Sequence, residues 1–303
     1  MKRRTFLKRS AAAGALAGAG SLGLLSFSSE KTFKHITILH TNDVHSHIDP
    51  FDRDHPQFPG MGGVARRFTL IENIRRENPN TLLLDAGDIF QGAPYFNFYG
   101  GELEFKLMSK MKYDAATIGN HDFDNGIDGL AAQLPHADFK FLSANYNFKN
   151  TILDGQVQPY HVFVKDDIRI GVFGLGIKLE GLVNKNLYKE TVYQDPVEMA
   201  TQTVQKLKEN EKCDLVICLS HLGYNYRDET ISDMKLASLT RNIDLIIGGH
   251  THTFLPKPTV TNNLDGNNVL VNQVGWAGVN LGRIDFFLDP EGGKNSKGAT
   301  ILV

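Results

Sequence analysis

Leu82-Leu83-Leu84-Asp85-Ala86-Gly87-Asp88-Ile89-Phe90-Gln91-Gly92 passes from three consecutive leucines straight into a glycine-broken polar cluster with two carboxylates. A short unbroken apolar run bounded by turn residues suits a strand buried on both faces. The same transition occurs four more times. Ile38-Leu39-His40-Thr41-Asn42 leads to Asp43-Val44-His45, and Ala115-Ala116-Thr117-Ile118 leads to Gly119-Asn120-His121-Asp122-Phe123-Asp124. Leu215-Val216-Ile217-Cys218-Leu219 leads to Ser220-His221, and Leu245-Ile246-Ile247 leads to Gly248-Gly249-His250-Thr251-His252. Ligands of α/β sheets bind beyond the carboxyl ends of strands, so five such ends carrying Asp, Asn and His are expected to converge on one cleft.

The spacings sharpen the expectation. Asp43 and His45 are two apart, as are His250 and His252; in extended chain each pair points one way. Asn120 and His121 are adjacent and should diverge, one toward a metal and one elsewhere. The donor set is oxygen and nitrogen alone, which favours Mn²⁺, Zn²⁺, Fe or Mg²⁺ over thiolate-preferring metals. A single Asp-x-His or His-x-His is common in proteins, whereas five clusters in this order, each after an apolar run, mark a metal site. Asn42, Gln91 and His47 stand beside these clusters and either support the ligands or serve as caps and turns.

The remaining chain repeats the pattern of apolar run and amphipathic stretch. Further strands are expected at Phe139–Ala144, Val269–Val274 and Ile284–Leu288, and Tyr160–Leu175 reads as a hairpin turning at Asp166-Asp167. Asp195-Pro196-Val197-Glu198 opens a helix with a cap, a proline and a capping glutamate, followed by an apolar stripe of Val197, Ala200, Val204 and Leu207. A second helix starts after Gly62-Gly63, carries the stripe Val64, Phe68, Ile71 and Ile74, and ends at Asn78-Pro79. Alternating strands and helices predict an α/β layered fold, and the hairpin makes its sheets mixed.

Composition bounds the function. The chain has 303 residues and a formal net charge of −2, with five basic and no acidic residues among the first 29; setting those five aside leaves the rest at −7. No basic footprint for a nucleic acid remains, and an anionic substrate would need metal ions rather than surface charge to hold it. Cys213 and Cys218 lie in Cys-Asp-Leu-Val-Ile-Cys, which reads as a strand with the two side chains on opposite faces; both are expected to be buried thiols rather than a disulfide.

Residues 1–29 read as a signal peptide, with Lys2-Arg3-Arg4-Thr5-Phe6-Leu7-Lys8 preceding a weakly apolar Ala/Gly/Leu stretch from Ala11 to Leu25. That stretch is too short and too glycine-rich to span a bilayer. The paired arginines resemble the twin-arginine export signal, so a periplasmic or cell-surface protein is expected, with cleavage between Ser26 and Ser29 and no stable membrane insertion. Residues 30–303 then form one catalytic domain.

With these residues in view, the chain resembles the calcineurin-like metallophosphoesterases and, within them, the 5′-nucleotidase family. The resemblance rests on Leu39-His40-Thr41-Asn42-Asp43, Gly87-Asp88-Ile89-Phe90-Gln91-Gly92, Gly119-Asn120-His121-Asp122-Phe123-Asp124 and Gly248-Gly249-His250-Thr251-His252, and spans residues 34 to 289. It implies two mixed β-sheets packed as a sandwich and flanked by α-helices. It implies two divalent metal ions, one held by Asp43, His45, Asp88 and His252, the other by Asp88, Asn120, His221 and His250, with Asp88 bridging. His121 would face substrate without binding metal, oriented by Asp124. Asp122 replaces a glutamate common in the family. The resemblance also implies that the family's second, nucleotide-recognising domain is absent after Val303, so that a separately encoded partner would supply it.

The expected chemistry is hydrolysis of a small phosphate ester, most simply a nucleotide, by a hydroxide that two ions generate and direct in line at phosphorus. His121 would protonate the leaving oxygen or stabilise the transition state. The same motifs are compatible with a broad phosphomonoesterase, a cyclic-nucleotide phosphodiesterase or a sulfur-ester hydrolase of the thiosulfate-oxidising type. A non-catalytic metal- or nucleotide-binding subunit is the contrasting class, and it has no need of a leaving-group acid.

Overall fold

The protein is described here by a computed structural model covering residues 33–289 and 293–303. The expected signal peptide, residues 1–29, lies outside the described residues. Among the described residues no helix is long and apolar enough to cross a membrane.

The strands are β1 (Lys34–Thr41), β2 (Thr81–Asp85), β3 (Ala115–Ala116), β4 (Lys140–Phe141), β5 (Tyr146–Asn147), β6 (Tyr160–Lys165) and β7 (Ile168–Gly176). They continue with β8 (Val192–Tyr193), β9 (Leu215–His221), β10 (Leu245–Gly248), β11 (Thr259–Asn262), β12 (Asn268–Asn272), β13 (Asn280–Leu288) and β14 (Lys294–Leu302). The helices are α1 (Val64–Glu77), α2 (Pro94–Tyr99), α3 (Glu102–Lys110), α4 (Gly126–Gln133), α5 (Lys185–Tyr188), α6 (Pro196–Glu209) and α7 (Asp233–Leu239).

Two six-stranded sheets form, in the orders β14-β13-β1-β2-β3-β4 and β11-β12-β10-β9-β7-β6, with β5 and β8 pairing separately. Each has a parallel run: β1-β2-β3-β4 reaches the edge of one sheet, with antiparallel β13 and β14 on its other side, and β12-β10-β9-β7 lies between antiparallel β11 and β6 in the other. The leucine run explains the layering. Leu82 and Leu84 point into the core between the sheets, beside Ile36, Ile38, Ile217 and Ile247, while Leu83 points to a second core with Ile71, Phe105 and Ile127. On the far sheet Val216, Cys218 and Ile246 pack in a third core against Ala200, Val204 and Leu207 of α6 and Leu236 of α7. Two-residue periodicity in strands buried on both faces thus builds the helix-sheet-sheet-helix sandwich.

The hairpin turns where expected: Lys165 pairs with Ile168, and Asp166 and Asp167 sit at φ 49° and 60°, the left-handed pair of a two-residue hairpin turn. Helix α6 begins with Asp195 Oδ1 accepting the Glu198 amide at 2.8 Å. Both cysteines are free and buried; they share the core under α6, because Cys213 precedes β9 rather than lying on it. Strand β14 was not foreseen. Its sequence Lys-Asn-Ser-Lys-Gly carries no apolar alternation, and it is recruited at the sheet edge by pairing with β13.

Helix α1 departs from the expected stripe. Phe68 is 36% exposed and Arg67 only 3%, so the buried face is Arg67, Ile71 and Ile74, with Val64 partly buried beside them. The arginine reaches under the loop after Trp276, where a Cβ on Gly278 would stand 1.7 Å from its Nη1, so only glycine fits above it. Ile71→Ala should therefore lower the unfolding free energy by about 2–5 kcal/mol. Phe68→Ala should change it by under about 1 kcal/mol. Urea denaturation measures both, and equal losses would return Phe68 to the core face.

Candidate metal centre

All five polar clusters lie at carboxyl ends of strands. Asp43, Asp88 and Asn120 follow β1, β2 and β3; His221 ends β9, and His250 and His252 follow β10. The two parallel runs thus deliver side chains from both sheets to one place. Main-chain bonds couple the loops: Asp43 N–H donates to Gly87 O (2.9 Å), His45 N–H to Asp88 O (3.1 Å), and Ala277 N–H to Asp43 O (2.8 Å).

The loops have little room for error. Asp43, His45, Asp88, His250 and His252 all have φ between 49° and 71°. Left-handed backbone costs about 1–3 kcal/mol per non-glycine residue and persists only where the surroundings over-determine it. The two-apart pairs are therefore not extended, as the spacing suggested. They converge because each residue of a pair is left-handed, after its strand has ended. Asn120 and His121 diverge as expected: the Asn120 Oδ1 lies 2.8 Å from His250 Nδ1, and the His121 Nδ1 lies 2.8 Å from Asp124 Oδ2.

Two groups of ligand atoms result, Asp43 with His45 and His252, and Asp88 with His221 and His250, each with its atoms within 4.8 Å of one another. Asp88 faces both: its Oδ2 is 3.1 Å from His221 Nε2 and 3.8 Å from His45 Nε2. Its other oxygen, Oδ1, is taken by the His121 amide at 2.8 Å.

The donor chemistry fits cations. His221 Nδ1 donates to Ala86 O at 2.7 Å, so a neutral ring turns a bare Nε2 toward Asp88; that Nε2 is fully buried and without a hydrogen-bond partner. His45 Nδ1 donates to Phe90 O at 3.1 Å, which leaves its Nε2 facing His252 Nε2 at 3.0 Å. Lone pairs and carboxylate oxygens crowd one buried volume, an arrangement that only positive charge relieves. Without metal a proton does so. Burial works against charging His221, but the Asp88 carboxylate overrides it and pushes the pKa up to about 10. Burial lowers His45, and lowers His250 to about 4, so both are neutral, the form that can bind a metal ion.

Beneath the ligands lies a layer that sequence reading passed over. Asp122 is completely buried and accepts four backbone N–H groups, from Asp88 (3.1 Å), Ile89 (2.9 Å), Phe90 (3.1 Å) and Gly119 (2.8 Å). It ties the β2 loop to the β3 loop, and Gly119 sits so close that a Cβ there would be 2.1 Å from Asp88 Oδ1. Asp233 does the same between the other loops, accepting from Ser220 and from Gln273, whose amide also donates to Gly249 O. Burial pushes the pKa of both carboxyls to about 7. Asn42 proves a support rather than a cap: it donates to Asp43 Oδ2 at 2.6 Å and to Gly275 O. Gln91 is exposed, and His47 packs on Phe51 and Trp276. Trp276, the one tryptophan of the sequence, lies flat against the His252 ring, centroids 5.8 Å apart and planes at 11°. A run of backbone amides is invisible in a sequence, which is why Asp122 could be noted only as a variant residue.

His35, His40, His55, His136 and His161 fall outside both groups. His40, for instance, is buried against Asn272, with its pKa lowered by burial to about 3.

The calcineurin-like phosphoesterase family model matches residues 36–254. The chain belongs to that family. It is 36% identical over 290 residues to a snake venom 5′-nucleotidase of Crotalus adamanteus, which covers 88% of this chain and 48% of the relative. It is 35% identical to a Homo sapiens 5′-nucleotidase, over 88% and 49% of the two chains. The solved structure of a 5′-nucleotidase precursor from Thermus thermophilus superposes with a TM-score of 0.81 at 34% identity, covering 89% of this chain and 55% of that one. This member of the calcineurin-like phosphoesterases therefore has the metallophosphoesterase sandwich, and it spans about half the length of the curated relatives it matches.

The four amides on Asp122 yield a test. Asp122→Asn replaces an acceptor oxygen with an N–H₂ that opposes two of those donors, and should weaken Mn²⁺ binding about 10–100-fold in a metal titration. Asp122→Glu, which keeps both acceptors, should recover most of it. Equal losses in the two variants would mean that volume, not the amide network, matters.

Proposed function

We propose that this chain is an exported hydrolase of small phosphate esters, with nucleotides as its natural class, and that its centre takes two divalent ions. The observation that carries the reading is Asp88: one carboxylate oxygen is held by the His121 amide while the other stands between the two histidine-containing groups. One ion would be held by Asp43, His45, His252 and Asp88, the other by Asp88, Asn120, His221 and His250. Bound ions of this kind supply Lewis acidity toward a phosphoryl oxygen and lower the pKa of water.

The chain's own residues do the rest. Left-handed loops cross-tied by Asp122 and Asp233 hold the ligands before substrate arrives, so little reorganisation is needed. The His121 ring belongs to neither group of metal-ligand candidates, although its amide holds Asp88. Its side chain is 39% exposed, its ring centroid lies 5.3 Å from that of His45, and Asp124 accepts from its Nδ1. The hydrogen bond to Asp124 holds the imidazolium above the usual histidine range, with burial opposing. A protonated Nε2 is thus kept for the oxygen that leaves phosphorus.

With Mn²⁺ supplied, purified protein should bind close to two ions per chain and hydrolyse AMP and nitrophenyl phosphate. His121→Asn should lower kcat for AMP by about 10²–10⁴ with metal content intact, and less for nitrophenyl phosphate, whose leaving group needs little protonation. Because Asp124 raises the His121 pKa, Asp124→Asn should move the alkaline limb of kcat for AMP to lower pH. One ion per chain in active protein would remove the bridging role, and a limb that stays in place would remove the dyad. A separately encoded domain completing nucleotide recognition belongs to the same reading. A KM for AMP at least tenfold below that for nitrophenyl phosphate in the isolated chain would dispense with it.

Export rests on Arg3-Arg4 and the weakly apolar stretch behind them. Replacing both with lysine should leave precursor in the cytoplasm, as cell fractionation would reveal; unimpaired export would reject the twin-arginine route.

A further inference from the structure

The four imidazoles of the centre are not anchored alike. His45 Nδ1 donates to Phe90 O and His221 Nδ1 to Ala86 O, so in both the nitrogen turned away from the centre is fixed by a main-chain carbonyl. His250 is held by its own amide, which donates to Asp43 at 2.9 Å, and its ring meets Asn120. His252 has neither kind of anchor. Its Nε2 faces His45 Nε2 at 3.0 Å and Asp43 Oδ1 at 3.5 Å, both inside the centre. Among the described residues neither its amide nor its Nδ1 has a hydrogen-bond partner. Its side chain is 40% exposed, against 6% for His45 and 0% for His221, and its φ of 51° is left-handed. Such backbone persists only where its surroundings over-determine it, and a ligating histidine ordinarily uses its second nitrogen to fix the ring. For His252 something else has to do both.

What His252 has instead is the face of Trp276. The two rings form a near-parallel, offset stack, with centroids 5.8 Å apart and planes at 11°. The indole is itself immobilised. His47, Phe51 and Phe58 meet it edge-on, at 87°, 70° and 73°, with centroids 5.2, 5.9 and 6.2 Å away. The loop that carries it is tied on both sides: Gly275 O accepts from Asn42 Nδ2 at 2.7 Å, and Ala277 N–H donates to Asp43 O at 2.8 Å. This loop therefore reaches one ligand group twice, through the main chain at Asp43 and through the indole at His252.

We propose that Trp276 is the positioning residue for His252, holding the plane of the imidazole so that Nε2 stays aimed at the ion shared with Asp43 and His45. It takes the part that carbonyl oxygens play for His45 and His221. An aromatic face fixes the tilt of a ring over its whole area, whereas a branched aliphatic chain of similar bulk leaves that tilt free. The effect is confined to one ion. Among the described residues Trp276 has no ring contact with His221 or His250, which pack on each other at 5.4 Å. The proposal rests on the reading of Asp43, His45 and His252 as ligands of one ion. Since the sequence holds a single tryptophan, its emission reports on that ion without interference.

The test titrates Co²⁺, which quenches indole emission at short range, into the chelator-stripped full chain while Trp276 fluorescence and bound metal are followed together. Emission should fall with the uptake of one ion, and that uptake should be the one missing from His252→Ala. By equilibrium dialysis, Trp276→Leu should bind the same ion about tenfold more weakly and the other within about twofold of the native chain. Trp276→Phe, which keeps a flat face, should bind both within about threefold of the native chain. Emission indifferent to that ion, equal losses in the two variants, weakening of both ions together, or native affinity in Trp276→Leu would each overturn the assignment. The fluorescence measurement alters nothing at Trp276, so it decides even where Trp276→Leu does not fold. Failure of the underlying metal reading looks different: the native chain and His252→Ala would take up the same number of ions.

Discussion

Everything in this structure is arranged around one electrostatic demand: two carboxylates, an amide and four imidazoles aim their acceptors into a volume to which, among the described residues, no lysine or arginine contributes a charge. Asp43 and Asp88 are buried, His221 Nε2 has no hydrogen-bond partner, and His45 and His252 face each other at 3.0 Å. Such a group of residues disfavours folding by itself. It is tolerated because the three apolar cores on either side of the sheets supply the cohesion, and because cations relieve the crowding. The left-handed backbone at five of these residues is the covalent expression of the same demand.

The answer comes in layers. The sandwich fixes where β1, β2, β3, β9 and β10 end. Buried Asp122 and Asp233 then bind the loops to one another through amides and side-chain donors, and Asn42 holds Asp43. The two carboxylates accept hydrogen bonds from the loops, while Asn42 donates to Asp43 and to Gly275 O. Burial lifts the pKa of Asp122 and Asp233 to about 7, so each sits near its protonation threshold while the amide donors favour the charged form.

Outside that frame the surface is asymmetric. His121 lies on one side, free of both ligand groups and paired with Asp124; on the other, Trp276 lies against His252 and begins an aromatic wall. Under the proposed reading a metal pair would treat phosphate esters alike, and discrimination would have to come from contacts beside it.

Fold class and candidate ligands were legible in the chain itself. Apolar runs of three to five residues, each followed at once by Asp, Asn or His, carry both signals, since burial on two faces and a strand-end site leave local marks. The cap at Asp195 and the turn at Asp166-Asp167 were equally local. The direction of Arg67 into the core, the edge strand β14, the left-handed geometry that brings His45 to His252, the four amides on Asp122 and the aromatic stack on His252 were decided only by the tertiary structure. In each case the partner lies far along the chain or is a backbone group that no residue letter records, so its energy exists only once the sheets have brought the segments together.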